Sequence, residues 1–270
     1  ILLYPKLRDN PHIHTKVIKP FALASIALVC LYMGSFAIFN EFHRYNVNAV
    51  NFQIALNPIV QVFLGKGSLI DVRSQYGFYA QFFEPLLKIT GLSITSVTSI
   101  FALIIISSLF MIGFTLYKTV HNKILAVFGF ITLVYFSYFS STWPYELYFQ
   151  YHPIRSFFPA IAIFLFYCYA KQPSQTRYYV GLSILSLGIV WNPDVGIFAF
   201  VAFMISVCFL ELGKQDIFIN KLPIICWKVL QAVVVLVLTI SIFTLYLRFR
   251  YLAWPDYSLL FQGQDAFVSN

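Results

Sequence analysis

The sequence predicts an all-α polytopic membrane protein with about seven transmembrane helices, and three observations predict it. Hydrophobic residues make up 60% of the chain and charged residues 10%, at a mean hydropathy of +0.78. A soluble domain carries about 25% charge. Apolar runs of near-spanning length recur along the chain, and lysine and arginine are spread unequally over the segments between them. Lipid offers backbone groups no partner, so each span is helical in a chain that lacks the alternation of a barrel.

The elements follow in order. Residues 1–19 form a basic tail with Lys6, Arg8, Lys16 and Lys19. A first span is expected at roughly 20–40, then a long insert over 40–93. Further spans fall near 94–117, 124–140, 156–170, 178–192, 195–211 and 229–248, and segment 249–270 closes the chain. A crossing helix needs about 20 mostly apolar residues, so the shorter candidates are expected to tilt, break or reach only part-way. Residues 1–270 read as a single membrane domain without repeats. The start at Ile1 and the stop at Asn270, just past a span, read as part of a longer protein.

Orientation comes from charge. With the N-terminus in the cytoplasm, the inside segments hold eleven basic and three acidic residues, and the outside segments seven of each. That asymmetry fits the positive-inside rule, so the sequence pI near 9.3 reflects topology and not nucleic-acid binding. The expected location is a prokaryotic plasma (inner) membrane, crossed several times. The inside loops at 117–123 and 171–177 are short and polar, and LPIICW within 211–228 fits the interface. Cys30, Cys168, Cys208 and Cys226 lie in or beside apolar runs without metal-ligand spacing and read as small hydrophobes. His12 and His14 sit together in the basic tail, with too few ligands nearby for a metal.

The insert is the chemically informative part, since Glu41, His43, Arg44, Asp71, Arg73 and Glu84 all fall within Asn40–Lys88. Residues 46–64 have the pattern of an amphipathic helix lying along the membrane surface, with Val47, Val50, Ile54 and Phe63 near one face. Asn57-Pro58 reads as a cap that starts a new turn, and Gly65 and Gly67 as its end. A polar loop follows, in which an Asp71–Arg73 pair and the Gln75-Tyr76-Gly77 turn are the dense features. A partly desolvated carboxylate or imidazole at the bilayer surface suits a general base. Glu41 and His43, straight off the first span, are candidates alongside Asp71. Arginine binds phosphate bidentately, and Arg73, Arg155, Arg248 and Arg250 share the outside face, where anionic headgroups attract them equally well. Asn192-Pro193-Asp194 reads first as a helix start, with Asn as cap, Pro at the first position and an acid in the first turn. Its short turn puts Asp194 at the outer level, where it can face the insert.

From Asn40 to Gly91 the pattern resembles the GT-C superfamily of polytopic membrane glycosyltransferases. The shared features are an outward first span, an acid just after it, a surface helix in a large first external loop, and a stretch such as LIDVRSQYGFYAQFFEPLLKITG. The resemblance puts Glu41 in the place of the family's first-loop catalytic acid. The family more often has Asp there in an acidic pair, whereas here Phe42 and then His43 follow, so Glu41, His43 and Asp71 all stay open as the base. It implies transfer of a sugar, with inversion, from a polyprenyl-phosphate donor to an unknown acceptor on the external face. Arg73, Gln75, Tyr76, Arg155, Asp194 and Arg248 are then the expected substrate-binding residues. No covalently bound cofactor is expected. Some members use a divalent metal, but the carboxylates here lack ligand spacing, and none is expected. The expected partners are membrane lipid, the lipid-linked sugar and other membrane proteins, with no nucleic acid. Two readings from other classes compete: a lipid or sugar transporter or flippase, and a non-catalytic subunit of a membrane complex. Spans almost free of charge in their middles argue against ion-coupled transport.

Overall fold

A computed structural model of the chain describes residues 11–39, 49–74, 76–139, 149, 152–213 and 218–260. Among them there are helices and no strand: α1 (Pro11–Phe39), α2 (Ala49–Phe63), α3 (Tyr79–Thr90), α4 (Ile94–Thr119), α5 (Lys123–Tyr138), α6 (Phe157–Lys171), α7 (Gln175–Trp191), α8 (Pro193–Leu212), α9 (Phe218–Tyr251) and a closing 3-10 turn, Tyr257–Leu260.

Each of the seven apolar segments is a helix. Four contain stretches long and apolar enough to cross a membrane: Ile18–Phe39, Ile94–Thr119, Pro193–Leu212 and Leu222–Tyr251. This is a membrane-embedded helical protein. The other three helices have 16, 15 and 17 residues, about 24 Å at a rise of 1.5 Å per residue. α1 starts at Pro11, inside the expected tail, and runs through Pro20.

The insert differs from expectation in two ways. α2 continues unbroken through Pro58 rather than restarting at Asn57. An interior proline costs about 3 kcal/mol, and packing of Ala55, Ile59 and Val62, all buried, opposes that cost. The stretch expected as polar loop is in part a second helix, α3. Its Tyr79, Ala80, Phe83 and Leu87 form one buried stripe at helical spacing, and α3 packs on α2. The Tyr79 hydroxyl donates to the Ala55 carbonyl at 2.7 Å and joins the two helices.

The bundle joins helices near and distant in the chain. α1 lies against α4 and α5, α4 against α6, α6 against α7 and α8, and α7 against α8 and α9. Lipid is as apolar as leucine, so helices in it associate through close packing more than through hydrophobicity. The tightest case is the α7–α8 hairpin. A side chain on Gly196 would put its Cβ 2.3 Å from the Gly188 carbonyl oxygen. Only hydrogen at that position lets the backbones meet. Gly196→Ala is therefore expected to pry the hairpin apart and cost roughly 1–3 kcal/mol, read as lower thermal stability of the purified protein in lipid.

Candidate functional site

The insert returns to the bundle at the α7–α8 turn. Asn192 alone links the two helices, and its side-chain oxygen accepts the Asp194 N–H at 3.1 Å. With Pro193 at the first position and Asp194 in the first turn, the cap is the one its sequence announces. Against this turn lies Gly77, at φ +78°. A Cβ there would meet Pro193 Cδ at 2.6 Å and the Trp191 carbonyl oxygen at 2.9 Å. The next residue, Phe78, donates its N–H to the Val190 carbonyl at 3.1 Å. Ser74, buried, donates to the Gly77 carbonyl.

This docking sets Tyr76, itself buried, under a guanidinium. Arg155 comes from the turn before α6, with Cζ 5.1 Å from the Tyr76 ring centroid. Its Nη2 donates to Asp194 Oδ2 at 3.4 Å. Trp191 fixes the turn that carries Arg155, because its indole N–H donates to the Ile154 carbonyl at 2.9 Å. Three segments distant in sequence thus deliver Tyr76, Arg155 and Asp194 to one place. The ion pair is partly open to its surroundings, with side chains 31% and 40% exposed. At 3.4 Å it is longer than the 2.7–2.9 Å of a tight charge-assisted bond.

An apolar groove of about 520 Å³ begins roughly one helical turn below, at Pro159 on α6 and Phe198 on α8. It continues to Ala170 and Ser206, with Ala162, Ala199 and Ala202 among its lining residues.

The remaining expected residues are placed differently. Asp71 is exposed, and its Oδ2 accepts the Gly67 N–H at 2.8 Å. That bond ties the loop; among the described residues no ion pair joins Asp71 to Arg73, which is also exposed. The guanidinium of Arg248 stands 5.7 Å from the Trp254 ring centroid. The segment after α9 reaches the same end of the bundle, since the Asp256 N–H donates to the Leu69 carbonyl at 2.6 Å. Glu41, His43, Arg44 and Gln75 lie outside the described residues. Among the described residues, no three His, Cys, Asp or Glu side chains gather as a metal site.

Two contributors escape sequence reasoning. Glu84 is buried at 3% exposure and paired with Arg250 from α9 and, at 2.9 Å, with Lys88. Arg250 is thereby committed to a buried carboxylate, not to the open face. His152, three residues before Arg155, packs against Tyr138 with the rings tilted and their centroids 4.2 Å apart. Burial lowers its pKa from an ordinary 6.5 to about 4, partly offset by the Ser137 backbone.

No family model, no curated protein and no solved structure matches the chain.

His152 gives this end of the molecule a pH dependence. The folded protein holds the imidazole neutral, and the unfolded chain binds the proton more readily. Stability is complete above about pH 6.5 and falls as pH drops toward 4, by on the order of 3 kcal/mol. Thermal unfolding against pH is expected to show this limb, and His152→Gln to flatten it.

Proposed function

We propose that this chain is the membrane part of a glycosyltransferase that takes a sugar from a polyprenyl-phosphate donor, with its N-terminus cytoplasmic and the insert on the external face. One arrangement carries the reading: Arg155 and Asp194, which meet over Tyr76, come four residues before Pro159 and Phe198, the first α6 and α8 residues lining a long apolar groove. A lipid phosphate needs that combination, a cation at the polar end and a dry channel for the chain. Arginine's planar fork fits phosphate oxygens, and a site bordered by lipid strengthens the attraction. In this proposal Asp194 holds Arg155 in place before the donor arrives, and the donor's phosphate takes over part of that contact. Tyr76 supplies a flat surface under the guanidinium.

The base belongs on the acceptor side. It accepts the proton of the attacking hydroxyl or amine as that atom bonds to the anomeric carbon. The bond to the lipid phosphate breaks on the opposite face, which inverts the configuration. Glu41 and His43 suit this role better than Asp71, whose carboxylate is exposed and already holds its own turn. The proposal also has α5, α6 and α7 crossing the bilayer. At about 24 Å each, they require it to thin locally from about 30 Å.

The test uses the full chain reconstituted in lipid with a polyprenyl-phosphate-linked sugar. Arg155→Ala is expected to weaken donor binding by roughly 1.5–3 kcal/mol, the value of a hydrogen bond to a charged group, with Arg155→Lys intermediate. Glu41→Ala is expected to leave donor binding intact and stop release of polyprenyl phosphate. Unchanged donor binding in Arg155→Ala sinks the phosphate assignment. Movement of the donor across the bilayer without sugar release favours a transporter.

A further inference from the structure

The turn from His152 to Ser156 leads into α6, with the Phe157 N–H donating to the Pro153 carbonyl at 3.1 Å. His152 and Ser156 are four residues apart and are therefore neighbours on that turn. The α7–α8 corner is pressed against it. Trp191 bonds to Ile154, and Asp194 to Arg155. Asn192, fully buried, is thus held beside the turn by residues on either side of it.

His152 Nδ1, Ser156 Oγ and Asn192 Nδ2 are each buried here without a hydrogen-bond partner. The Tyr138 hydroxyl comes close to Ser156 but is not aligned for a bond. Elsewhere among the described residues such atoms belong to Gln61, Ser186 and Tyr251, which sit in three different helices. One buried donor or acceptor left unpaired costs about 1–3 kcal/mol, and native proteins rarely leave them so. A grouping of them calls for a shared partner. The corner does not supply it from within. The Asn192 oxygen already holds the Asp194 N–H, and the other His152 nitrogen donates to the Ser137 backbone.

The atoms themselves specify the partner. The amide nitrogen only donates, the bare imidazole nitrogen only accepts, and the hydroxyl does both. An anion is repelled by the imidazole lone pair, and a cation by the amide N–H. A hydroxyl suits all three, because it donates and accepts. A sugar carries several hydroxyls on one ring, and in the donor reading that ring is joined to the phosphate held by Arg155, in the middle of this same turn.

We propose that His152, Ser156 and Asn192 bind hydroxyls of the transferred sugar, and that this sugar is neutral. The inference rests on the reading of Arg155 as the donor's phosphate ligand. Entry is through the Arg155–Asp194 contact, which is long at 3.4 Å and partly open. As the phosphate draws Arg155 from Asp194, the sugar reaches the groups on either side. A site built this way rejects a sugar that lacks the hydroxyl, since its own buried atoms then stay unpaired.

The experiment measures binding to the full chain in lipid of polyprenyl phosphate and of the same lipid carrying glucose, galactose or mannose. The unaltered protein is expected to bind at least one hexose lipid about tenfold more tightly than polyprenyl phosphate. Ser156→Ala and Asn192→Ser, the second of which keeps a capping oxygen, are each expected to weaken that hexose lipid by about 3–10-fold and leave polyprenyl phosphate unchanged. Removing single hydroxyls from the hexose is expected to cost the unaltered protein as much at one position or more. The proposal is overturned if no hexose is preferred to the bare lipid, or if no single hydroxyl matters. It is equally overturned if both variants weaken the two kinds of lipid alike. Lower thermal stability with the hexose preference intact overturns it too, and marks a site for buried water only. Protein that binds none of the four lipids sinks the phosphate assignment together with this one, whereas polyprenyl phosphate bound through Arg155 without a hexose preference sinks the sugar site alone.

Discussion

The polar end of this bundle depends on Trp191. Its indole N–H reaches the Ile154 carbonyl, and its ring has Tyr79, Phe82, Phe83, Phe157 and Phe158 around it with centroids 5.5–6.1 Å away. A buried indole must find an acceptor for its one donor, and here the acceptor belongs to the turn that carries Arg155. The rings come from α3 and α6, so one side chain fixes the insert, that turn and the α7–α8 corner relative to one another.

Charge at the two ends of the molecule is handled by the same device. Glu84 is enclosed with Arg250 and Lys88 where the insert meets α9, and Glu211 with Lys228 at the far end of the same helix. Neither carboxylate belongs to the open Arg155–Asp194 pair. Buried ions are tolerated when their partners are close and well placed, and in exchange they define where a helix can sit. That adds to the packing of α9 on α7 and α8.

What could be read from the sequence was whatever is local. The apolar runs became helices because a hydrophobic stretch of that length has one way to satisfy its backbone in lipid. Asn192-Pro193-Asp194 capped as read because all its partners lie within a few residues. The other features depend on distant contacts. Glu84 looks like one more loop acid until Arg250, 166 residues away, encloses it. His152 looks ordinary until Tyr138 covers it. Pro58 argued for a new start, but packing of α2 on α3 outweighed the local penalty. Arg155, Asp194 and Tyr76 were each identifiable as polar groups at one level, though their meeting depends on the Gly77 corner fitting beneath Pro193.

The single-residue link at Asn192 also bears on how the chain enters the membrane. Seventeen residues of α7 carry Gln175, Arg177 and several serine and glycine positions, a poor candidate for leaving the insertion machinery alone. With one residue before α8 begins, the two helices cannot be released separately. In the proposed arrangement, where α7 crosses the bilayer, they partition as a hairpin, with the more apolar α8 drawing its partner in. The Gly188–Gly196 contact then forms during biogenesis rather than after it. A mutation at that contact would appear first as failed membrane insertion and rapid degradation, before any loss of activity in protein that had folded.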